Sequence, residues 1–223
     1  ISLPDGIVLK VLDPDWPGQP FPDVADALEE PNGLLAVGGC LSVERLVNAY
    51  RSGIFPWFSD DEPILWWSPA PRWVMAPQDV KISKSLGKKL RQGGFQVTHD
   101  LVFDQVMQAC AEPRPDQSGT WITEEMRSSY SLLHHAGYAH SFECWLDGVL
   151  VGGLYGVAVG CCFFGESMFR RKTDASKVAF VSACRRLEQW GYRMIDCQVY
   201  TPHLESLGAK AMARDAFILE VSR

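Results

Sequence analysis

MIDCQVY, residues 194–200, sets a carboxylate and an amide into a run that otherwise reads as a buried strand. Residues two apart in a strand point the same way, so Asp196 and Gln198 share one face while Ile195, Cys197 and Val199 share the other. Burying an unpaired carboxylate is expensive. Either the pair belongs to a polar network that is purely structural, or that face of the strand looks into a working site.

Upstream of this run, ASKVAFVSACRRLEQW reads as a helix capped by Asp174 and stopped by Gly191. Before it, SFECWLDGVLVGGLYGVAVGCCFFGESMF divides at its glycines into three strand-like runs, with Asp147-Gly148 as a hairpin turn. An antiparallel meander is expected. Further back, Thr123 is placed to cap EEMRSSYSLLHHAG, which ends at Gly137, and Asp100 to cap a helix with Phe103, Val106, Met107 and Cys110 along one stripe. Downstream, SLGAKAMARDAFILEV suggests a closing pair of strands. Helices, a meander, a helix and a crossover strand together predict a mixed α/β sheet.

Residues 1–72 have a different texture, rich in Pro and Trp, in runs such as LDPDWPGQPFPD, EPNGLLAVGG and IFPWFSDDEPILWWSPAPR. They read as turns and short strands around one helix, SVERLVNAYRSG. Ser42 is its N-cap, Val43, Leu46, Val47 and Tyr50 lie on one face, and Gly53 is the stop. The expected division is a small N-terminal domain over 1–72 and a larger one over 73–223.

With 223 residues, 47% of them hydrophobic, the chain can bury a real core. Its seven cysteines form no CxxC pair and its five histidines are not at zinc spacing. Reduced thiols and no metal are expected. No apolar run approaches the roughly 20 residues of a membrane span, and no secretory signal pattern opens the chain, so a cytoplasmic protein without membrane attachment is predicted. The net charge of −6 argues against a polyanion partner in bulk, but charge is unevenly distributed. No acidic residue occurs from Val80 to His99, a window that holds Lys81, Lys84, Lys88, Lys89 and Arg91. If KISKSLGKKLRQ is helical, Lys81, Lys84, Lys88 and Arg91 form one stripe that can follow a phosphate backbone. A merely solvated helix face is the alternative.

Several runs, in order, carry a family resemblance: EPNGLLAVGG, RSGIFPWFSDDEPILWWSP, GTWITEEM, AHSFECW, LVGGLYGVAVG, FFGESMF, ASK, IDCQV and HLESLGA. The chain resembles the leucyl/phenylalanyl-tRNA protein transferases, which add Leu or Phe from aminoacyl-tRNA to proteins with an N-terminal Arg or Lys. The resemblance implies a GNAT-like acyltransferase domain with a mixed, largely antiparallel sheet behind the small N-terminal domain. It implies no cofactor, aminoacyl-tRNA carrying Leu, Phe or Met as donor, and marking of the acceptor for degradation by the N-end rule. Nothing suggests an obligate oligomer, and a monomer is expected.

Carried over residue by residue, the resemblance implies that Gln198, oriented by Asp196, handles the attacking amine, and that Glu166 of FFGESMF helps to hold the acceptor. An amide is a poor proton acceptor, so Asp196 taking the proton through water, or binding the acceptor's ammonium, stays open. Glu166 and Asp196 together would explain a preference for a basic N-terminal residue. Pairing of Glu166 with Arg170 or Arg171 is the structural alternative. The positions matching the aminoacyl pocket are Leu154, Phe163, Met168, Phe180, Ala183 and Ile195, all apolar here. Those matching the adenosine stack are Trp57 and Trp121, and the basic stripe matches the acceptor-stem contacts. Two other functions compete. An acyl-CoA N-acyltransferase needs a glycine-rich phosphate loop before its helix, and FRRKTDASK has no glycine. A non-catalytic tRNA-binding module would need none of Glu166, Asp196 and Gln198.

Overall fold

The computed structural model describes residues 6–113 and 122–223. Its first part comprises β1 (Lys10–Leu12), β2 (Leu34–Gly38), α1 (Val43–Arg51), β3 (Phe55–Pro56) and β4 (Leu65–Trp67), whose strands form a sheet in the order β1-β2-β4-β3. Ser42 caps α1 as expected, its hydroxyl accepting from the N–H of Arg45 at 3.2 Å.

The larger sheet begins with β5 (Arg72–Met75). Then come α2 (Lys84–Gln92), β6 (Phe95–His99), α3 (Phe103–Ala111), α4 (Glu124–His135), β7 (Ala139–Leu146), β8 (Val149–Val159) and β9 (Cys162–Arg170). The chain closes with α5 (Ala175–Gln189), β10 (Met194–Asp196), α6 (Pro202–Leu207), β11 (Lys210–Met212) and α7 (Arg214–Val221). The seven strands run in the order β11-β5-β10-β9-β8-β7-β6. All neighbours are antiparallel except β9 and β10, which α5 joins as a parallel pair. This is the mixed, largely antiparallel α/β architecture expected. The β7–β8–β9 meander turns at Asp147-Gly148, where both residues have positive φ, as a tight hairpin requires.

The large sheet buries both faces. Alternation along β9 sends Phe164 to one side, into a core with Tyr50, Trp66, Val106, Tyr130 and Phe217, which spans both sheets. Phe163 points to the other side, where Leu154, Phe180, Cys184 and Ile195 pack under α5. Helix α5 lies so close to β8 that a Cβ on Gly152 would come within 2.7 Å of the Ala175 backbone. Among the described residues no helix is long and apolar enough to cross a membrane.

Five local expectations are corrected. The strand in MIDCQVY ends at Asp196, and Gln198 has φ of +64°. AFILEV is helical, not a strand: Phe217 and Val221, four residues apart, bury one face of α7. Asp100 does not cap α3; it accepts from the backbone N–H of Ser141 at 3.0 Å. The buried Glu143 of β7 serves that helix instead, taking the N–H groups of Leu101 and Val102 at 2.8 Å each. Asp174 occupies the N-cap position of α5 but pairs with Lys89 at 2.6 Å rather than with the helix backbone. Helix α2 starts only at Lys84, capped by Ser83, so Lys81 lies outside it.

Candidate active site

Strand β10 sits between β9 and β5, which puts Asp196 opposite Phe164 on one side and Val74 on the other. The chain then leaves the sheet in a tight turn centred on Gln198, with the N–H of Val199 on the carbonyl of Cys197 at 2.8 Å. Asp196 and Gln198 therefore do not meet by strand alternation. They meet because the Asp196 carboxylate accepts the backbone N–H of Gln198 at 2.9 Å, a local turn that fixes the left-handed backbone there.

The Asp196 carboxylate is otherwise taken by Arg72 of β5. Nε and Nη2 of Arg72 donate to its two oxygens at 3.1 and 2.8 Å, and Nη1 donates to the carbonyl of Gly53 at 2.7 Å. The guanidinium lies 4.4 Å from the centre of the Phe217 ring. Both charged residues have no exposed surface. Of the two carboxylates expected to face a cleft, Asp196 is thus tied into the interior through both oxygens, and one is left with open access.

That one is Glu166, on β9 and half-buried. Its Oε1 accepts from the Tyr50 hydroxyl at 2.5 Å and from the Gln198 side-chain amide at 3.2 Å. Tyr50 in turn bonds to Tyr130 of α4. Since the single Tyr50 proton goes to Glu166, the Tyr130 hydroxyl is the donor to Tyr50. Glu166 does not pair with Arg170 or Arg171; Arg171 pairs with Glu112 at 2.9 Å. Burial, and then the nearby Asp196 charge, push the Glu166 carboxyl up to about 8 against the donors that hold it down. Burial foremost, and then the Glu166 charge, raise the Tyr50, Tyr130 and Tyr155 hydroxyls, which stay protonated donors.

Beside these groups lies a cavity of about 380 Å³, lined by all six apolar positions singled out in the sequence: Leu154, Phe163, Met168, Phe180, Ala183 and Ile195. Leu187 and Leu204 also line it, together with the polar Glu166, Asp196, Gln198, Thr201 and His203. Burial, followed by the charges of Lys177 and Arg170, holds the His203 imidazole below its ordinary value and hence neutral at neutral pH. Such a space, mostly apolar with a few polar groups in its wall, fits one large apolar side chain beside a reacting group.

Other predicted positions lie elsewhere. Trp57 is 49% exposed and packs edge-on against Trp67, with ring centroids 5.5 Å apart; it is not part of the cavity wall. Trp121 lies outside the described residues. Lys81, Lys84, Lys88 and Arg91 are all exposed, the last three along α2. Among the described residues no group of His, Cys, Asp and Glu comes together to hold a metal ion.

Sequence reading missed Arg72, Tyr50, Tyr130 and His203 as members of the site. For Tyr50 a signal existed: a tyrosine on the buried face of a helix needs a partner for its hydroxyl. Arg72, at the head of the apolar run WVM, carried a similar one.

Residues 74–222 match the family described as leucyl/phenylalanyl-tRNA protein transferase, and residues 39–70 match that family's N-terminal domain. A leucyl/phenylalanyl-tRNA protein transferase of Nitrosomonas europaea is 60% identical over 198 residues, 89% of this chain and 84% of the relative. One of Methylococcus capsulatus is 57% identical over 215 residues, covering 96% and 92%. A solved GCN5-related N-acetyltransferase from Kribbella flavida overlaps 72% of this chain and 57% of its own at 12% identity, with a TM-score of 0.42. The matched segments and the identity over nearly the whole length make this chain a member of the leucyl/phenylalanyl-tRNA protein transferase family.

Proposed function

We propose that this enzyme transfers Leu, Phe or Met from aminoacyl-tRNA to the N-terminal Arg or Lys of acceptor proteins, marking them for degradation. The observation that carries the reading is the cavity of about 380 Å³ that ends at Glu166 and Gln198. A Leu, Phe or Met side chain buried there contributes about 1.5–3 kcal/mol. It also leaves the ester carbonyl at the polar mouth, where an incoming amine can reach it.

The ester is already activated, so the protein has to position the amine and take one proton. Glu166 is the group with the right access and affinity for that proton. The Gln198 amide donates to Glu166, which turns its carbonyl oxygen free to accept from the attacking amine. The amine nitrogen bonds to the ester carbon and the C–O bond to the ribose breaks. The proton lost by the amine passes to Glu166 and from Glu166 to the ribose oxygen, which leaves as a hydroxyl. Asp196 does not touch the reactants; it is a positioning residue that holds the Gln198 backbone while Arg72 holds it.

In this reading the N-terminal unit, residues 1–72, is a working part of the site, because it supplies Tyr50. Trp57 and Trp121 stack on the terminal adenosine, and Lys81, Lys84, Lys88 and Arg91 follow the acceptor-stem phosphates. The double variant Lys84→Ala/Lys88→Ala then weakens tRNA binding and flattens its dependence on log salt concentration, by roughly 0.7–0.9 for each phosphate left without its lysine; an unchanged slope argues against the stripe. The enzyme acts as a cytoplasmic monomer without cofactor.

The direct test uses the purified protein, tRNA charged with labelled Phe or Leu, and peptides that differ only in beginning with Arg, Lys or Ala. Transfer to the Arg and Lys peptides alone, with neither CoA nor metal added, is the expected result. Binding of tRNA without transfer would leave a binding module.

A further inference from the structure

Among the described residues, one buried cation outside the cavity wall has no carboxylate partner. Arg45 of α1 has no exposed surface. Its Nη2 donates to the carbonyls of Asp13 and Trp16 at 2.7 and 2.6 Å, but Nε and Nη1 are buried without any hydrogen-bond partner. The nearby carboxylates face elsewhere. Asp13 takes the backbone N–H of Asp15 at 2.9 Å, and Glu44 lies against Gly18. A buried guanidinium with neither a charge nor a full set of acceptors opposite it is costly in a low-dielectric interior.

The group that stands beside it is a thiol. Nη1 packs against Gly39, where a Cβ would lie only 2.7 Å away. The next residue is Cys40, half-buried, with Sγ 3.6 Å from the Ser42 hydroxyl. Ser42 is the N-cap of the nine-residue α1, so the sulfur also sits at the positive end of that helix. Burial pushes the Cys40 thiol up. The N–H and hydroxyl of Ser42 and the Arg45 guanidinium outweigh burial and hold it below the ordinary thiol value. The other cysteines differ. Cys110, Cys144, Cys162, Cys184 and Cys197 are buried, and burial lifts the thiols of Cys144 and Cys184 to about 11 and about 12. Cys161 is half-buried, with its sulfur on the carbonyl of Glu220 at 3.5 Å.

We propose that Cys40, set at the start of α1 beside the unpartnered Arg45 guanidinium, is the site at which this protein is reversibly modified by low-molecular-weight disulfides, reacting as the thiolate for which Arg45 is the counter-ion. The Cys40 sulfur attacks one sulfur of the disulfide. A new S–S bond forms to Cys40, the S–S bond of the reagent breaks, and its second sulfur leaves as a thiolate, so Cys40 is oxidised and the released thiol reduced. The mixed disulfide carries no charge at Cys40 and leaves Arg45 without its counter-ion, which favours reversal by thiols.

The test follows the reaction of the intact, folded protein with an aromatic disulfide that releases a coloured thiolate, from about pH 8 to about pH 6. One thiol is expected to react fast, to be lost in Cys40→Ser and kept in Cys161→Ser. Its rate should fall by much less than the roughly tenfold per pH unit of an ordinary thiol below its pKa. Ser42→Ala should slow it and steepen its pH dependence, and Arg45→Gln should do so more strongly; if Arg45→Gln does not fold, the wild-type and Ser42→Ala slopes decide. A Cys40 that reacts no faster than Cys161, or that loses tenfold per pH unit, would overturn the proposal.

Discussion

Asp196 holds the backbone N–H of Gln198 at 2.9 Å and Glu166 holds its side-chain amide at 3.2 Å, yet the fold surrounds these two carboxylates with opposite partners. Asp196 meets a guanidinium through both oxygens and has no exposed surface. Glu166 accepts from two neutral donors, Tyr50 and Gln198, with no cation bonded to it among the described residues, and keeps access to the cavity. A carboxylate locked to a buried cation is an anchor. One that is desolvated among neutral donors has a proton affinity near neutrality and can exchange that proton with a substrate. In the proposed function this difference gives the first a structural part and the second the chemistry.

The largest effect expected from breaking this contrast is on Asp196. Asp196→Asn leaves Arg72 buried and unpaired, which costs about 3–5 kcal/mol. Denaturant midpoints should drop accordingly, and transfer should fall with the loss of Gln198 placement. Replacing both partners, Arg72→Met with Asp196→Leu, should recover much of the stability but not the transfer. Recovery of transfer in that pair would show that the ion pair does not position Gln198.

Glu166→Gln should do the reverse. The amide keeps the acceptor oxygen for Tyr50 but cannot take a proton, so transfer should drop by roughly 10²–10⁴ while the fold is kept. The stability change has a definite sign. Because the folded-state carboxyl is raised from 4.5 to about 8, its contribution to stability is fully present below about pH 4.5 and is lost as pH rises through about 8. Glu166→Gln should therefore be the more stable protein in alkaline solution and should lose that part of the pH dependence. Wild-type turnover in Glu166→Gln would remove the base assignment.

That Asp196 and Gln198 belong together was legible in the sequence, but by the wrong geometry, and Glu166 joined them only through the family resemblance. Strand alternation puts Asp196 and Gln198 on one face; the structure joins them by a turn after the strand ends. Local pattern cannot show what Asp196 meets, because Arg72 lies 124 residues earlier in the chain. The same holds for Tyr50, whose partner Glu166 is 116 residues away, so that its place on the apolar stripe of α1 reads as plain core. The meander was legible because its glycines and the Asp147-Gly148 turn act locally. AFILEV was not, since a short apolar run suits a strand or a buried helix equally and only the packing of Phe217 and Val221 decides.

The smallest effects sharpen the contrast without breaking it. Tyr50→Phe removes a donor that lowers the Glu166 carboxyl, so the rising limb of the pH profile for transfer, where Glu166 gives up its proton, should move to higher pH. The acceptor's own α-amine titrates near pH 7.7–8.0, but no substitution of Tyr50 alters it, so a shift in the limb belongs to Glu166. Tyr130→Phe acts one bond further out. It leaves the Tyr50 proton on Glu166 and removes only the donor behind it, a loss of about 0.5–1.5 kcal/mol in stability. The limb should move in the same direction by less than in Tyr50→Phe. A larger shift from Tyr130→Phe would mean that Tyr130, and not Tyr50, governs the Glu166 proton, because a group that acts only through Tyr50 cannot exceed the effect of removing Tyr50 itself.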